Sequence, residues 1–158
     1  MNKLVFLLSL SLVFFSCKKN SECTFKPPTT VAPASEITAL QDYITAKGLS
    51  GSVTQHPNGF FYKIESEGSG ATPSVCSNIT VTYEGKLTNE TKFDESTTGV
   101  SFVLGQLIRG WQLGIPLIKK GGSITLYLPP SLGYGSSANG SIPANSILIF
   151  EVGLVDVN

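Results

Sequence analysis

Histidine is almost missing from this chain, which has one, and cysteine is scarce, with three among 158 residues. That scarcity argues against a structural zinc site, which draws on several closely spaced Cys and His ligands. Charge is also thin: 14% of residues are Asp, Glu, Lys or Arg, and 11 basic side chains balance 11 acidic ones. No basic surplus is left to condense on a phosphate backbone, so no nucleic-acid partner is expected. There is no P-loop, dinucleotide fingerprint, Ser-His-Asp set or internal repeat, and neither a metal nor a cofactor is expected. His56 lies in a His-Pro-Asn-Gly turn with no second histidine, and reads as a surface turn residue rather than a base. No apolar run reaches the roughly 20 residues a membrane-spanning helix needs.

What is present begins with a leader. Met1-Asn2-Lys3 precedes an apolar stretch, Leu4 to Phe15, of the size of a secretory h-region. Residues 1–16 are therefore expected to target the chain and then be removed. The Ser16-Cys17 step resembles a bacterial lipobox, which implies cleavage before Cys17, diacylation of its thiol and acylation of the new N-terminus. A spare thiol closing an ordinary secretion signal is the plainer alternative. If Cys17 is the anchor, several acyl chains give lasting membrane attachment and Lys18 and Lys19 lie against the headgroups. The expected location is the bacterial cell envelope, at the outer membrane facing the periplasm. Cys23 and Cys76 remain, an even number in an oxidising compartment, which suggests one disulfide; two separate thiols are the alternative.

Residues 17–34 carry Pro27, Pro28 and Pro33 with little apolar periodicity and read as a tether. Residues 35–50 read as an amphipathic helix, with Ser35 as N-cap, Ile37, Leu40 and Ile44 on one face, and Gly48 as the stop. That face could pack on the following domain or on a second copy of itself. Residues 51–158 read as one domain of short strands. Phe60 to Ile64, Ile79 to Tyr83, Ser123 to Leu128 and Ile147 to Val152 have the composition or period-two alternation of half-buried antiparallel strands. Leu107 to Ile118 is the only other candidate helix, and Pro116 should kink or end it. One short helix against a curved sheet is an α+β arrangement. With 41% hydrophobic residues the chain can bury a core.

The candidate functional residues form a constellation of aromatics and aliphatics with one carboxylate. The blocks Val81 to Leu87, Lys92-Phe93-Asp94, Phe102 to Gly105, Leu107-Ile108-Arg109-Gly110-Trp111, Pro129 to Gly135, Ile142 to Ser146 and Phe150-Glu151-Val152 occur in this order. In that order they closely resemble the FKBP-type peptidyl-prolyl cis-trans isomerases over about residues 61–157. The resemblance implies a curved antiparallel sheet of five or six strands wrapped around one short helix. It implies catalytic roles for Tyr83, Asp94, Trp111, Tyr134 and Phe150, with Trp111 as pocket floor. It also implies substrate-binding roles for Phe93, Val100, Leu107, Ile108 and Ile142. Tyr134 would offer its hydroxyl, and Ile108 its backbone amide, to substrate carbonyls. Proline-containing segments of unfolded exported proteins are the implied partners.

Such chemistry needs no nucleophile. The barrier to X-Pro rotation, about 18–20 kcal/mol, comes from amide resonance, and the isomers differ by only about 0.5–1 kcal/mol. An apolar cup that strips water from the imide favours the twisted amide over the planar one. Two departures stand out between Asp94 and Phe102. The basic residue that commonly pairs with the carboxylate is absent, and Val100 stands where an aromatic is usual. Asp94 is therefore expected to lack a charged partner, and macrolide binding, if any, to be weak. A non-catalytic envelope chaperone using the same cup, and a surface lipoprotein stacking Trp and Tyr on glycans, are the alternatives.

Overall fold

The computed structural model describes residues 23–158. The leader, Cys17, Lys18 and Lys19 lie outside the described residues. The chain forms a helix, α1 (Ala34–Ala46), then strands β1 (Thr54–Gln55), β2 (Phe61–Ser66), β3 (Asn78–Leu87) and β4 (Lys92–Val103). A short helix α2 (Arg109–Gly114), followed by a 3₁₀ turn Ile115–Leu117, leads to β5 (Ser123–Leu128), a 3₁₀ turn Pro130–Leu132 and β6 (Leu148–Val157). All six strands join one antiparallel sheet in the order β1-β2-β5-β6-β3-β4. Pro116 falls where α2 gives way to the 3₁₀ turn, as expected of a residue without an amide hydrogen.

The period of two decides what each face buries. On the inner face, covered by α2, Ile79 and Val81 of β3 meet Ile124, Leu126 and Leu128 of β5 and Leu148, Phe150, Val152 and Leu154 of β6. Trp111 and Ile115, from α2 and the turn after it, complete that core. On the outer face Phe61, Tyr127 and Ile149 take the apolar side of α1, where Leu40 and Ile44 are fully buried. The sticky face of the helix thus packs on its own domain.

Three details differ from expectation. Ser35 does not cap α1: Pro33 occupies the N-cap, its carbonyl accepting from the Glu36 and Ile37 amides, and no side chain caps the helix. The helix also ends at Ala46 rather than continuing to residue 50. Gly48 does stop it, at φ +69°, with the Gly48 amide on the Thr45 carbonyl (3.0 Å) and the Leu49 amide on that of Ile44 (2.9 Å), a Schellman closure. The end of the tether is docked, since Ala32 is buried and donates to the Asn58 carbonyl, while the Asn58 side chain donates to the Thr30 carbonyl. His56 lies in its turn at the surface, as expected, and is partly covered: its ring stacks on Phe60, 4.4 Å between centroids, and its Nδ1 accepts from the Asn58 amide. Burial lowers its pKa.

The span from Asp94 to Phe102 is strand, not loop. β4 runs along the sheet edge through it, pairing Ser96 with Tyr83 and Val100 with Val81, so that Thr97, Thr98 and Gly99 bulge opposite Thr82.

Candidate active site

The inner face gathers most of the expected site residues. Tyr83 on β3, Trp111 on α2 and Phe150 on β6 meet edge to face, with Tyr83–Trp111 at 5.3 Å and Trp111–Phe150 at 5.2 Å between ring centroids. Phe93 on β4 meets Phe150 in the same way at 5.5 Å. These separations and tilts suit the electrostatic preference of aromatic pairs for T-shaped contact. Trp111 is 4% and Phe150 4% exposed, whereas Tyr83 and Phe93 are half-buried. The indole and the Phe150 ring are thus the buried part of a wall whose Tyr83 and Phe93 edges on β3 and β4 are partly exposed.

Glycine makes this approach feasible at one position. A Cβ on Gly85 would lie 2.6 Å from Phe93 Cε2 and 3.0 Å from Phe150 Cε1, so any side chain there would push the two rings apart. Gly85 is a site determinant that the pattern of aromatics alone did not reveal.

Polar groups edge this wall. The Tyr83 hydroxyl donates to Asp94 Oδ2 at 2.7 Å. Burial first, then that hydrogen bond and the negative charge of Asp94, push the Tyr83 pKa up to about 12. Tyr134, 38% exposed, also has its pKa raised, by burial and then by the charge of Asp94. Among the described residues Asp94 has no ion-pair partner.

Leu107 and Ile108 precede α2, half-buried against the core, and Ile108 forms the helix N-cap. Its carbonyl accepts from the Trp111 and Gln112 amides, but among the described residues its own amide has no acceptor. Ile142 is 6% exposed and Val100 half-buried, both packed with the same core. Gln112, which sequence reasoning passed over, donates its side-chain amide to the carbonyls of Leu107 (2.7 Å) and Gly105 (3.2 Å) and so holds the segment before α2. The Trp111 Nε1 is buried without a partner.

The arrangement gathers aromatic and aliphatic side chains, the Tyr83 hydroxyl and the Ile108 amide on one face of the sheet. The opposite side of the sheet is lined by charges as well as by apolar groups. A groove of about 900 Å³ runs there, lined among others by Lys47, Lys63, Glu65, Glu84, Lys86 and Glu90. These charges neutralise one another in pairs, among them Lys47–Glu90 at 2.7 Å and Lys63–Glu65 at 2.8 Å.

The comparisons with known proteins agree with this fold. The sequence profile of the FKBP-type peptidyl-prolyl cis-trans isomerases matches residues 70–155. A probable FKBP-type peptidyl-prolyl cis-trans isomerase of Haemophilus influenzae is 47% identical over 117 residues, covering 72% of this chain and 48% of the relative. The crystal structure of FkpA from Escherichia coli superposes with a TM-score of 0.72 at 35% identity, covering 79% of this chain and 60% of that one. A peptidyl-prolyl cis-trans isomerase structure from Pseudomonas syringae gives a TM-score of 0.70 at 26% identity, covering 82% of this chain and 98% of that one. The chain spans about half the length of the curated relatives it matches. On sequence and fold alike, this chain belongs to the FKBP-type peptidyl-prolyl cis-trans isomerase family.

Proposed function

We propose that the chain catalyses cis-trans isomerisation of X-Pro bonds in unfolded exported proteins. The observation that carries this reading is the edge-to-face wall of Tyr83, Trp111, Phe150 and Phe93 beside an Ile108 amide that no group among the described residues accepts. The prolyl ring packs on the indole, with Ile142, Leu107 and Val100 at the rim. The apolar walls exclude water from the imide carbonyl, whose charge separation falls as the C–N bond twists. Binding that favours the twisted amide lowers the barrier, and each 1.36 kcal/mol of such preference is tenfold in rate. The Ile108 amide and the Tyr134 hydroxyl hold flanking carbonyls, while Asp94 fixes the Tyr83 hydroxyl.

A protease-coupled assay on an X-Pro peptide tests this. Trp111→Ala and Tyr134→Phe should each lose most of the turnover while the protein stays folded by circular dichroism. Capture of unfolded protein with no turnover in the parent chain would favour a non-catalytic chaperone instead.

The same proposal includes an envelope location. Cys17 carries the lipid and residues 17–34 tether it to the domain, so Cys17→Ser should be released from membranes without acyl chains. The Cα atoms of Cys23 and Cys76 stand 5.7 Å apart, inside the span of a disulfide. That bridge fits an oxidising compartment, and both cysteines should resist alkylation until reduced. Macrolide binding is weak on this reading, because Asp94 has no basic partner and Val100 replaces an aromatic.

A further inference from the structure

We infer that Glu36, on the helix preceding the sheet, is a positioning residue for the turn that presents Tyr134. The inference deepens the proposed function and rests on that reading of the site.

The turn begins with two prolines. Pro129 and Pro130 have no amide hydrogen, so the first amide of the 3₁₀ turn Pro130–Leu132 belongs to Ser131 and has no acceptor within the turn. Glu36 Oε2 accepts it at 2.9 Å from a position 95 residues away. The Ser131 hydroxyl is buried without a partner among the described residues, so within them the side chain of Ser131 adds no hold of its own. From that point the hydrogen bonds run directly to Tyr134. The Leu132 amide donates to the Pro129 carbonyl at 3.1 Å, and the amides of Gly133 and Gly135, on either side of Tyr134, both donate to the Pro130 carbonyl, at 2.9 and 2.8 Å. The Gly135 carbonyl in turn accepts from Asn145. Tyr134 is thus slung from one carbonyl whose peptide neighbour is pinned by Glu36.

The pin is itself fixed. Leu40 and Ile44 are fully buried on the outer face, and Ala32 is tied to Asn58 just before the helix begins. A charge-assisted bond to a backbone amide is among the stronger hydrogen bonds. Glu36 lies in the first turn of its helix, where free amides would also attract a carboxylate, yet it reaches Ser131 instead. The helix therefore joins the outer side of the sheet to the substrate-facing loop.

The test combines Glu36→Ala, Glu36→Asp and Glu36→Gln with Tyr134→Phe, measuring kcat/KM on an X-Pro peptide well below each Tm. Glu36→Ala and Glu36→Asp should lower kcat/KM about three- to tenfold, since small displacements of a positioned group are costly. Glu36→Gln keeps an acceptor and should stay within about twofold of the parent. In the Tyr134→Phe background Glu36→Ala should add less than about twofold, because the two changes act on one contact. A second readout is the ¹³Cζ resonance of the Tyr134 ring, which should move in Glu36→Ala and remain in Glu36→Gln. Unchanged kcat/KM in Glu36→Ala, equal losses in both backgrounds, or an unmoved Tyr134 resonance would overturn the assignment. A parent chain without isomerase activity would defeat the proposed function alone, and the resonance would still decide the role of Glu36.

Discussion

The two faces of the sheet treat their polar groups in opposite ways. On the outer face Glu84 sits between Lys86 and Lys92, Lys92 also reaches Glu95, and Lys86 also reaches Glu151. Each charge is answered by another. On the inner face the Ile108 amide and the Trp111 Nε1 have no protein partner among the described residues, and Asp94 has a hydroxyl but no cation. Buried donors without acceptors are costly, and stable proteins keep few of them. On the inner face the buried Trp111 Nε1 is such a donor, which fits the proposal that this face meets a substrate. The outer face, saturated and half covered by α1, serves stability.

Two adjacent residues give the sharpest way to break this contrast. Ile149 and Phe150 follow one another on β6 but point to opposite faces, and they are 7% and 4% exposed. Truncating either leaves a cavity, so Ile149→Ala and Phe150→Ala should both lower unfolding free energy by about 2–5 kcal/mol in urea titrations. Their activities should part company. Phe150→Ala removes a ring that contacts both Trp111 and Phe93 and should lower kcat/KM by at least about tenfold. Ile149→Ala should retain turnover within about twofold at temperatures where it is folded. Equal losses of activity would mean that the faces are not functionally distinct.

The pair of Tyr83 and Asp94 predicts an intermediate effect with a defined pH window. Folding raises the Tyr83 pKa from an ordinary 10.0 to about 12 by burial and by donation to Asp94. The protonated phenol is therefore favoured by the folded state, and its contribution is complete below pH 10. Above that the unfolded chain ionises first, so the contribution is lost progressively as pH rises through about 12. Unfolding titrations between pH 9 and 12 should show stability falling more steeply for the parent than for Tyr83→Phe. Tyr83→Phe should also lower kcat/KM several-fold, by freeing Asp94 beside the pocket. Parallel pH curves for the two proteins would show that the hydrogen bond does not couple to folding.

Much of this contrast was legible in the sequence, and the rest was not for identifiable reasons. β3, β5 and β6 announce themselves by alternation, because one face is apolar and the other wet or under a helix. β4 does not, since it is an edge strand whose bulge at Thr97 to Gly99 shifts the pattern out of phase. The aromatic set was visible only as ordered blocks of a known family; taken singly, each ring could have been core. Gln112 and Gly85 were missed because their roles depend on what approaches them in space. Glu36 was missed for the same reason: nothing near it in sequence points to Ser131. Ser35 misled because it is a good N-cap residue standing two places after Pro33, whose carbonyl already starts the helix.

The smallest expected effect tests the outer face alone. Lys92 holds Glu84 and Glu95 at 2.7 Å each, and those hydrogen bonds raise its pKa, with Glu84 the larger cause. The three side chains are nonetheless exposed enough that solvent and salt screen their attraction. Lys92→Ala should therefore shift Tm by less than about 2 °C and leave turnover unchanged, although Lys92 is only two residues from Asp94 along β4. Adding salt to the parent should reproduce the same small change, because it screens the same charges. A large loss of activity in Lys92→Ala with Tm unchanged would mean that the network on the outer face sets the position of Asp94 on the inner one. Saturation of the outer charges would then be part of the site rather than its opposite.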